Sequence, residues 1–153
     1  MNTAATAQGP EPTGRVVVGI DGSEGSNRAL EWAATEAAQS GAVLEVHAVY
    51  GPGYVFVTPQ EVQHAMQRLL DDAVKHAADV APGIAFKGVI QEGSAAQALI
   101  EASKGADLLV VGSRGRGGFS GLLLGSVSQQ CSLHSHCPIV IVRPPEEQVD
   151  KGA

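Results

Sequence analysis

Residues 110–128 read VVGSRGRGGFSGLLLGSVS, a stretch that holds six glycines, two arginines and four serines. Glycine loses more conformational freedom on folding than any other residue, so a run this rich in glycine needs a structural reason. Either its backbone adopts positive φ angles, or another group approaches the backbone closely. The segments on both sides of this glycine-rich run indicate which fold it belongs to.

Short apolar runs alternate with longer amphipathic segments along the chain. Strands are predicted at residues 15–20, 43–50, 84–91, 106–113 and 138–143. Helices are predicted at residues 23–41, 58–83, 94–105 and about 121–135. Strands that are apolar on both faces and separated by helices of this length pair in parallel, through right-handed crossovers. The sequence therefore predicts one α/β domain, with a parallel five-stranded sheet and helices on both faces.

Several individual residues carry further expectations. Ser23 or Ser26 can cap the first helix, and Thr58 can cap the second, which starts with a proline. Trp32 lies among alanines on the first helix and is predicted to pack in the core. His47 lies in a buried strand and is predicted to be a core histidine with satisfied hydrogen bonds.

The composition is that of an acidic globular protein. Apolar residues make up 44% of the 153 residues and charged residues 17%, which suits one domain with one core. The net charge of -6 argues against binding to nucleic acid or to an anionic membrane surface.

No apolar stretch approaches the roughly 20 residues of a membrane span. Residues 1–14 lack the features of a signal peptide, so a cytoplasmic location is expected. Residues 1–14 and 144–153 are predicted to be flexible tails.

Polar residues follow the first and fourth predicted strands. Asp21, Gly22 and Ser23 come directly after the first strand, and the glycine-rich run follows the fourth. In open parallel sheets, ligands bind beyond the carboxyl ends of the strands, where the strand order reverses. If these two strands are neighbours at that point, the two segments face each other across one crevice.

The glycine-rich run has the features of a phosphate-binding loop. Backbone amides in a glycine turn, followed by a helix N-terminus, form an anion site. Gly112 and Gly115 bracket the turn, and Gly125 and Ser126 lie near the start of the last helix. An ordinary surface loop is the alternative interpretation. The run contains no P-loop lysine motif, no GxGxxG dinucleotide motif and no GxSxG hydrolase motif.

Three segments together resemble the ATP-binding branch of the universal stress protein family. They are VVVGIDGSEGS, VGSRGRGGFSGLLLGSVS and CPIVIVR. That branch carries a glycine, two residues, a second glycine, nine residues, and then Gly-Ser or Gly-Thr. Gly112, Gly115, Gly125 and Ser126 match this motif without departure. The resemblance covers about residues 15–143, which is taken as the universal stress protein domain.

The resemblance implies a fold, a ligand and an assembly. The fold is a Rossmann-like sheet of strand order 3-2-1-4-5. The ligand is ATP, although some family members bind cyclic AMP. Family members are commonly homodimers joined through the last strand, here residues 138–143, and an apolar edge strand of this kind needs covering.

The resemblance also suggests the residues of the site. Asp21 matches an aspartate beside the nucleotide, and the backbone of Ala48 matches a position that reads the adenine edge. Five residues match positions that hold the phosphates and ribose: Gly112, Gly115, Gly125, Ser126 and Val127. With the motifs that surround them, the candidate binding residues are Asp21, Gly22, Ser23, Ala48, Gly112, Ser113, Arg114, Gly115, Arg116, Gly125, Ser126, Val127 and Ser128.

Some of these residues have two interpretations. Arg114 and Arg116 either neutralise phosphate charge or are solvated loop cations. Asp21 either coordinates nucleotide-bound Mg²⁺ or caps the first helix. The segment CSLHSHCP, residues 131–138, has residue types that suit zinc, but their order does not match a common structural site, so no protein-held metal is expected.

No pattern in the sequence supports fast catalysis, because it contains no base–nucleophile pair, no clustered carboxylates and no loop lysine. Together with this absence, the family resemblance implies a nucleotide-binding, stress-linked regulator or sensor, in which slow ATP hydrolysis would be incidental. Two alternatives stay open at this point. One is an ATP-using transferase or hydrolase, and the other is an interaction module that binds no nucleotide.

Overall fold

A computed structural model describes residues 11–52, 58–115 and 124–145. They form a five-stranded parallel sheet of order β3-β2-β1-β4-β5, joined by four helices. This confirms the predicted fold class and strand order. The elements are β1 (Arg15–Ile20), α1 (Glu24–Ser40), β2 (Val43–Tyr50), α2 (Pro59–Val80), β3 (Phe86–Glu92), α3 (Ala95–Ala102), β4 (Leu108–Gly112), α4 (Ser126–His134) and β5 (Ile139–Val142).

The helices cover both faces of the sheet because successive strand residues point to opposite faces. Val16 and Val18 of β1 belong to a buried cluster with the apolar residues of α1 and α2. Val17, between them, belongs to a second cluster that includes Leu99 of α3 and Cys131 of α4. The sheet is thus the middle of three layers, with α1 and α2 on one side and α3 and α4 on the other.

The helix starts follow the capping residues in the sequence. The Ser23 hydroxyl accepts a hydrogen bond from the amide of Ser26 at 3.2 Å and caps α1. Thr58 caps α2 in a reciprocal capping box with Glu61. Each cap satisfies an amide that the first turn of a helix leaves without an intrahelical partner. Of the two candidate caps for α1, Ser23 is therefore the one used.

Three predicted element starts and one predicted core residue are corrected. Strand β4 begins at Leu108, not 106. Helix α4 begins at Ser126, not near 121: Gly125 has extended backbone, and its amide donates to Ser113 O at 2.7 Å. Strand β3 begins at Phe86, not 84, because the amide of residue 84 bonds back to the end of α2. Trp32 is 39% exposed, since it falls outside the buried stripe of α1. That stripe comprises Ser26, Ala29, Leu30, Ala33, Ala34 and Ala37.

The predicted tails lie mostly outside the described residues, so their flexibility stays a prediction. Within the described part, the amide of Thr13 donates to the carbonyl of Gly41 at 2.8 Å, which holds residue 13 beside the end of α1. A search of the described helices for one long and apolar enough to cross a membrane found none.

Candidate functional site

The carboxyl ends of β1 and β4 lie side by side. The two strands pair in register, with Val18 opposite Val110. Beyond the strands, a Cβ on Gly115 would lie 2.6 Å from Oδ2 of Asp21. The segment after β1 and the described part of the glycine-rich run therefore face each other, as the sequence predicts for neighbouring strands at the point where the strand order reverses.

A cavity of about 310 Å³ lies at this point. Nine of the candidate binding residues line it: Asp21, Ser23, Gly112, Arg114, Gly115, Gly125, Ser126, Val127 and Ser128. Gly22, Ala48 and Ser113 are described but are not part of the lining. Arg116 lies outside the described residues.

The turn after β1 is held by its own side chains. Oδ1 of Asp21 accepts a hydrogen bond from the amide of Ser23 at 2.9 Å. The hydroxyl of Ser26 accepts from the amide of Asp21 at 3.2 Å and donates to the carbonyl of Ser23 at 3.1 Å. Gly22, between them, has a φ of 82°, which favours glycine. Asp21 thus orders the turn that precedes α1, but the cap of that helix is Ser23 and not Asp21, and Asp21 also lines the cavity.

The start of α4 is held against the end of β4. Ser128 is buried, and its hydroxyl donates its single proton to the carbonyl of Ser113 at 2.8 Å, with the carbonyl of Gly125 also within 3.1 Å. Ser113 O also accepts from the amide of Gly125. Ser113 and the Ser128 hydroxyl therefore fix the position of Gly125. Ser126, in contrast, is exposed at the first helical position.

The N-terminus of α4 opens onto the cavity without a side-chain cap. Its N-cap residue is Gly125, which has no side chain to accept from the amides of the first turn. A Cβ on Gly125 would meet Arg114 Cα at 3.5 Å, an ordinary contact. Packing within the protein therefore does not require glycine at residue 125. Because Gly125 has no side chain, the amides of the first turn of α4 stay uncovered. Uncapped amides and the positive end of the helix dipole favour an anion.

The opposite wall of the cavity includes residues that the sequence analysis did not select. His47 and Val49 of β2 line it, with Ala95 and Leu99 of α3. A Cβ on Gly19 would lie 2.7 Å from Leu99 Cδ1, so this glycine admits the leucine. Alternation along β2 is the signal that could have found His47 and Val49, because both point to the face opposite the buried side chain of Ala48.

His47 belongs to a buried polar cluster on β2. Its Nε2 lies 2.7 Å from Oε1 of Glu45, whose Oε2 accepts from Nη1 of Arg15 at 3.0 Å. Burial raises the pKa of Glu45, but hydrogen bonds from His47 and Arg15 outweigh burial and lower it overall. Nδ1 of His47 is buried, and no described residue provides it with a hydrogen bond. The prediction of a fully satisfied core histidine is therefore wrong at Nδ1.

The cysteine- and histidine-containing segment near α4 does not assemble a ligand set. Cys131 is fully buried, and burial raises the pKa of its thiol to about 11. Cys137 lies beyond the helix, where Ser135 bonds to its backbone. Across the described ranges, no group of three or more metal-ligating side chains of the His, Cys, Asp or Glu type was found.

Comparison with known proteins agrees with this α/β fold. The model of the universal stress protein family matches residues 12–143. The chain therefore belongs to the universal stress protein family. A universal stress protein of Thermus aquaticus is 35% identical over 136 residues, which cover 84% of this chain and 97% of the relative. One of Mycolicibacterium smegmatis is 34% identical over 133 residues, but the chain spans only 45% of that relative's length.

Solved structures show the same fold. A universal stress protein solved in complex with cAMP is 32% identical, with a TM-score of 0.66 and coverage of 84% of this chain and 96% of that one. A universal stress protein from Archaeoglobus fulgidus, solved in complex with dAMP, is 21% identical, with a TM-score of 0.63 and coverage of 84% and 97%. The second likeness supports the fold alone.

Proposed function

We propose that the cavity between β1 and β4 binds an adenine nucleotide and that the chain acts as a stress-linked regulator or sensor. The observation that carries the proposal is the N-terminus of α4, which has no side-chain cap and whose residues Ser126 and Val127 line the cavity. A phosphate group at the amides of these residues would accept hydrogen bonds and interact favourably with the helix dipole. The 32%-identical family member in complex with cAMP supports an adenine nucleotide as the occupant.

ATP is the ligand proposed on the complete glycine motif of Gly112, Gly115, Gly125 and Ser126. Cyclic AMP is the second candidate, and the complex of the 32%-identical relative favours it. The two ligands differ in charge and in the number of phosphates. A triphosphate would extend along the described start of the glycine-rich run, where Arg114 lines the cavity and supplies positive charge.

The residues present fit a nucleotide-bound Mg²⁺ better than a metal held by the protein alone. Asp21 places a carboxylate on the cavity wall, and one of its oxygens accepts from the amide of Ser23. Mg²⁺ usually takes one or two carboxylates together with phosphate oxygens. When bound, the ion would neutralise phosphate charge, while Asp21 orients the turn that carries Ser23.

The proposed role is binding rather than fast catalysis. Asp21 is engaged with Ser23, and His47 is engaged with Glu45, which lies away from the cavity lining. A general base must lie within hydrogen-bond reach of the group that it deprotonates. We therefore expect ATP turnover below about one per minute, far below the typical enzyme value near 10 per second.

Native mass spectrometry of the purified protein, followed by calorimetry with ATP and with cAMP, tests the proposal. We expect one nucleotide per chain and a rise in melting temperature with at least one of the two ligands. The proposal is overturned if neither ligand releases heat nor shifts the melting temperature, in the presence or absence of Mg²⁺. Turnover near typical enzyme rates would instead support the enzyme alternative.

A further inference from the structure

Strand β3 is an edge of the sheet, at the opposite end from β5, and β2 is its one neighbouring strand among the described residues. The carbonyl of Ala85 accepts from the amide of Leu44, and the amide of Gly93 donates to the carbonyl of Tyr50. Odd-numbered residues of this segment therefore direct their backbone groups toward β2, and even-numbered ones direct theirs to the free edge. The residues with free-edge backbone groups are Phe86, Gly88, Ile90 and Glu92.

A groove with apolar walls runs along this free edge. Helix α2 and strand β3 enclose about 620 Å³, and the apolar lining includes Leu70, Val74, Phe86 and Ile90. A Cβ on Gly88 would lie 2.6 Å from Leu70 Cδ2, so this glycine lets the leucine approach the strand. Phe86 is 36% exposed. Exposed apolar surface beside unpaired backbone groups is the kind of surface to which an extended strand adds.

The charges along the groove indicate which strand fits. Helix α2 connects two parallel strands and runs antiparallel to them, so Lys75 lies beyond Leu70 at the Phe86 end of the groove. Glu92 ends β3 at the other end. Lys75 and Glu92 are exposed, and neither forms an ion pair with another described residue. A strand that is antiparallel to β3 and carries an acidic residue at its end would place that residue beside Lys75. The β3 strand of a second copy has this property.

We propose that β3 is a self-association surface, at which two copies of the chain pair antiparallel about a two-fold axis through Val89. Val89 is the middle residue of β3 (Phe86–Glu92), so this register pairs the whole strand. Phe86 of one copy lies opposite Glu92 of the other, and the pairs that exchange hydrogen bonds are the even-numbered residues with free-edge backbone groups. Glu92 of each copy lies beside Lys75 of the other, so the opposite charges are paired on both sides of the axis.

This surface lies on the opposite edge of the sheet from β5 and outside the nucleotide cavity, so the inference does not depend on the proposed function. One strand pair with two exposed ion pairs is smaller than the roughly 1,600 Å² of a standard stable interface, so we expect a dissociation constant of about 100 μM. A two-fold contact at β3 leaves β5 free, so contacts at both edges would join dimers into longer assemblies at high protein concentration.

Sedimentation velocity from about 5 to about 500 μM protein tests the contact. The weight-average mass of the wild-type protein is expected to rise across this range. Lys75→Glu and Glu92→Lys each place like charges across the axis and should weaken association by at least about tenfold, whereas the double variant Lys75→Glu/Glu92→Lys should restore it. Lys104→Glu is the control, because it makes the same change of charge at an exposed residue outside the groove. The inference is overturned by a mass that is independent of concentration, by equal weakening in Lys104→Glu and Lys75→Glu, or by a double variant as weak as the single ones.

A cross-link tests the position of the axis. The two copies of Val89 would face each other with Cα atoms about 4.5 Å apart, within reach of a disulfide. Val89→Cys is made together with Cys137→Ser, which removes the partly exposed native thiol, and mild oxidation at high protein concentration should give a covalent dimer. Lys87→Cys with Cys137→Ser is the matched control, because its two copies would lie about 13 Å apart along the strands. A Val89→Cys variant that does not cross-link, or a Lys87→Cys variant that cross-links as well, overturns the inference.

Discussion

Gly112 and Gly25 meet through bare backbone. A Cβ on Gly112 would lie 2.9 Å from both the carbonyl carbon and the carbonyl oxygen of Gly25. A Cβ on Gly25 would lie 2.7 Å from the carbonyl oxygen of Arg114. The end of β4 and the first turn of α1 are thus in contact at positions where only hydrogen fits. This contact sets the distance between the two sides of the cavity.

Replacement of Gly112 by alanine should destabilise the protein by about 1–3 kcal/mol, because backbone on the facing side cannot move aside as a side chain can. Thermal unfolding followed by circular dichroism measures the loss. Gly51→Ala is the matched control, since its Cβ would meet only Gly93 O, at 3.9 Å. Equal melting temperatures for the two variants would show that the contact tolerates a methyl group.

Ser126 and Ser128 are two residues apart and should respond differently to alanine. Ser126→Ala is expected to weaken nucleotide binding with little effect on stability, because the exposed hydroxyl is a candidate ligand group. Ser128→Ala should lower stability by about 1 kcal/mol, because it removes the buried bond to Ser113 O. Calorimetry and urea unfolding of both variants separate the two effects. The same affinity in Ser126→Ala and wild type contradicts the proposed site.

Gly115→Val tests the opposite side of the cavity. Its side chain would start 2.6 Å from Oδ2 of Asp21 and push that carboxylate out of place. We expect at least a tenfold loss of nucleotide affinity, with a cooperative unfolding transition retained. Calorimetry together with circular dichroism checks both expectations. Unchanged affinity would place the ligand away from Asp21.

Glu45 should make stability depend on pH in the acid range. Its pKa in the folded protein is below the ordinary value of 4.5, so the unfolded chain binds its proton first as the pH falls. The stability that it contributes is complete above pH 4.5 and is lost as the pH falls through the folded-state pKa. Glu45→Gln should flatten the acid limb of a melting-temperature profile between pH 7 and pH 3. If the melting temperature falls with pH at the same slope in Glu45→Gln and in wild type, the loss of stability in acid comes from other carboxyl groups.

Strand β5 lies at the edge of the sheet and is the dimer contact that the family resemblance implies. The carbonyl of Pro138 accepts a hydrogen bond from the amide of Leu109 in β4, and the carbonyl of Val142 accepts one from the amide of Ser113. Because backbone groups alternate in direction along a strand, those of Ile141 point away from β4, toward the free edge of the sheet. Ile141→Pro removes an outward amide and should shift the protein from dimer to monomer. Light scattering after gel filtration measures the mass, with Ile141→Val as the control that keeps the amide. If the Ile141→Pro variant is still a dimer, the free edge of β5 is not the dimer contact.

Much of the fold was predictable because β1, β4 and β5 are short apolar runs and the first three helices begin at side-chain caps. The predicted strand order is confirmed, and Ser23 and Thr58 cap the helices as expected. The prediction of a buried Trp32 is wrong, because its position falls outside the buried stripe of α1 even though aromatic side chains favour the core. The start of α4 was missed because the helix begins at a serine after a glycine cap, with no apolar periodicity to mark it.

The candidate site was only partly predictable. Short motifs marked the segment after β1 and the glycine-rich run, and most of the described candidates line the cavity. Gly25 escaped notice because its importance comes from Arg114, which is distant in sequence. Leu99 and Val49 resemble ordinary core residues, since an apolar side chain gives no local sign that it borders a cavity.

The two sides of the cavity come from chain segments far apart in sequence, Asp21 on one side and Gly115 on the other. Only the assembled sheet brings them together, so an occupant binds the native chain and not its unfolded form. An occupant present at 100 times its dissociation constant would add about 2.7 kcal/mol to the free energy of unfolding. The fraction of molecules open to proteolysis would then fall about a hundredfold, and the lifetime of the protein would follow the supply of that small molecule.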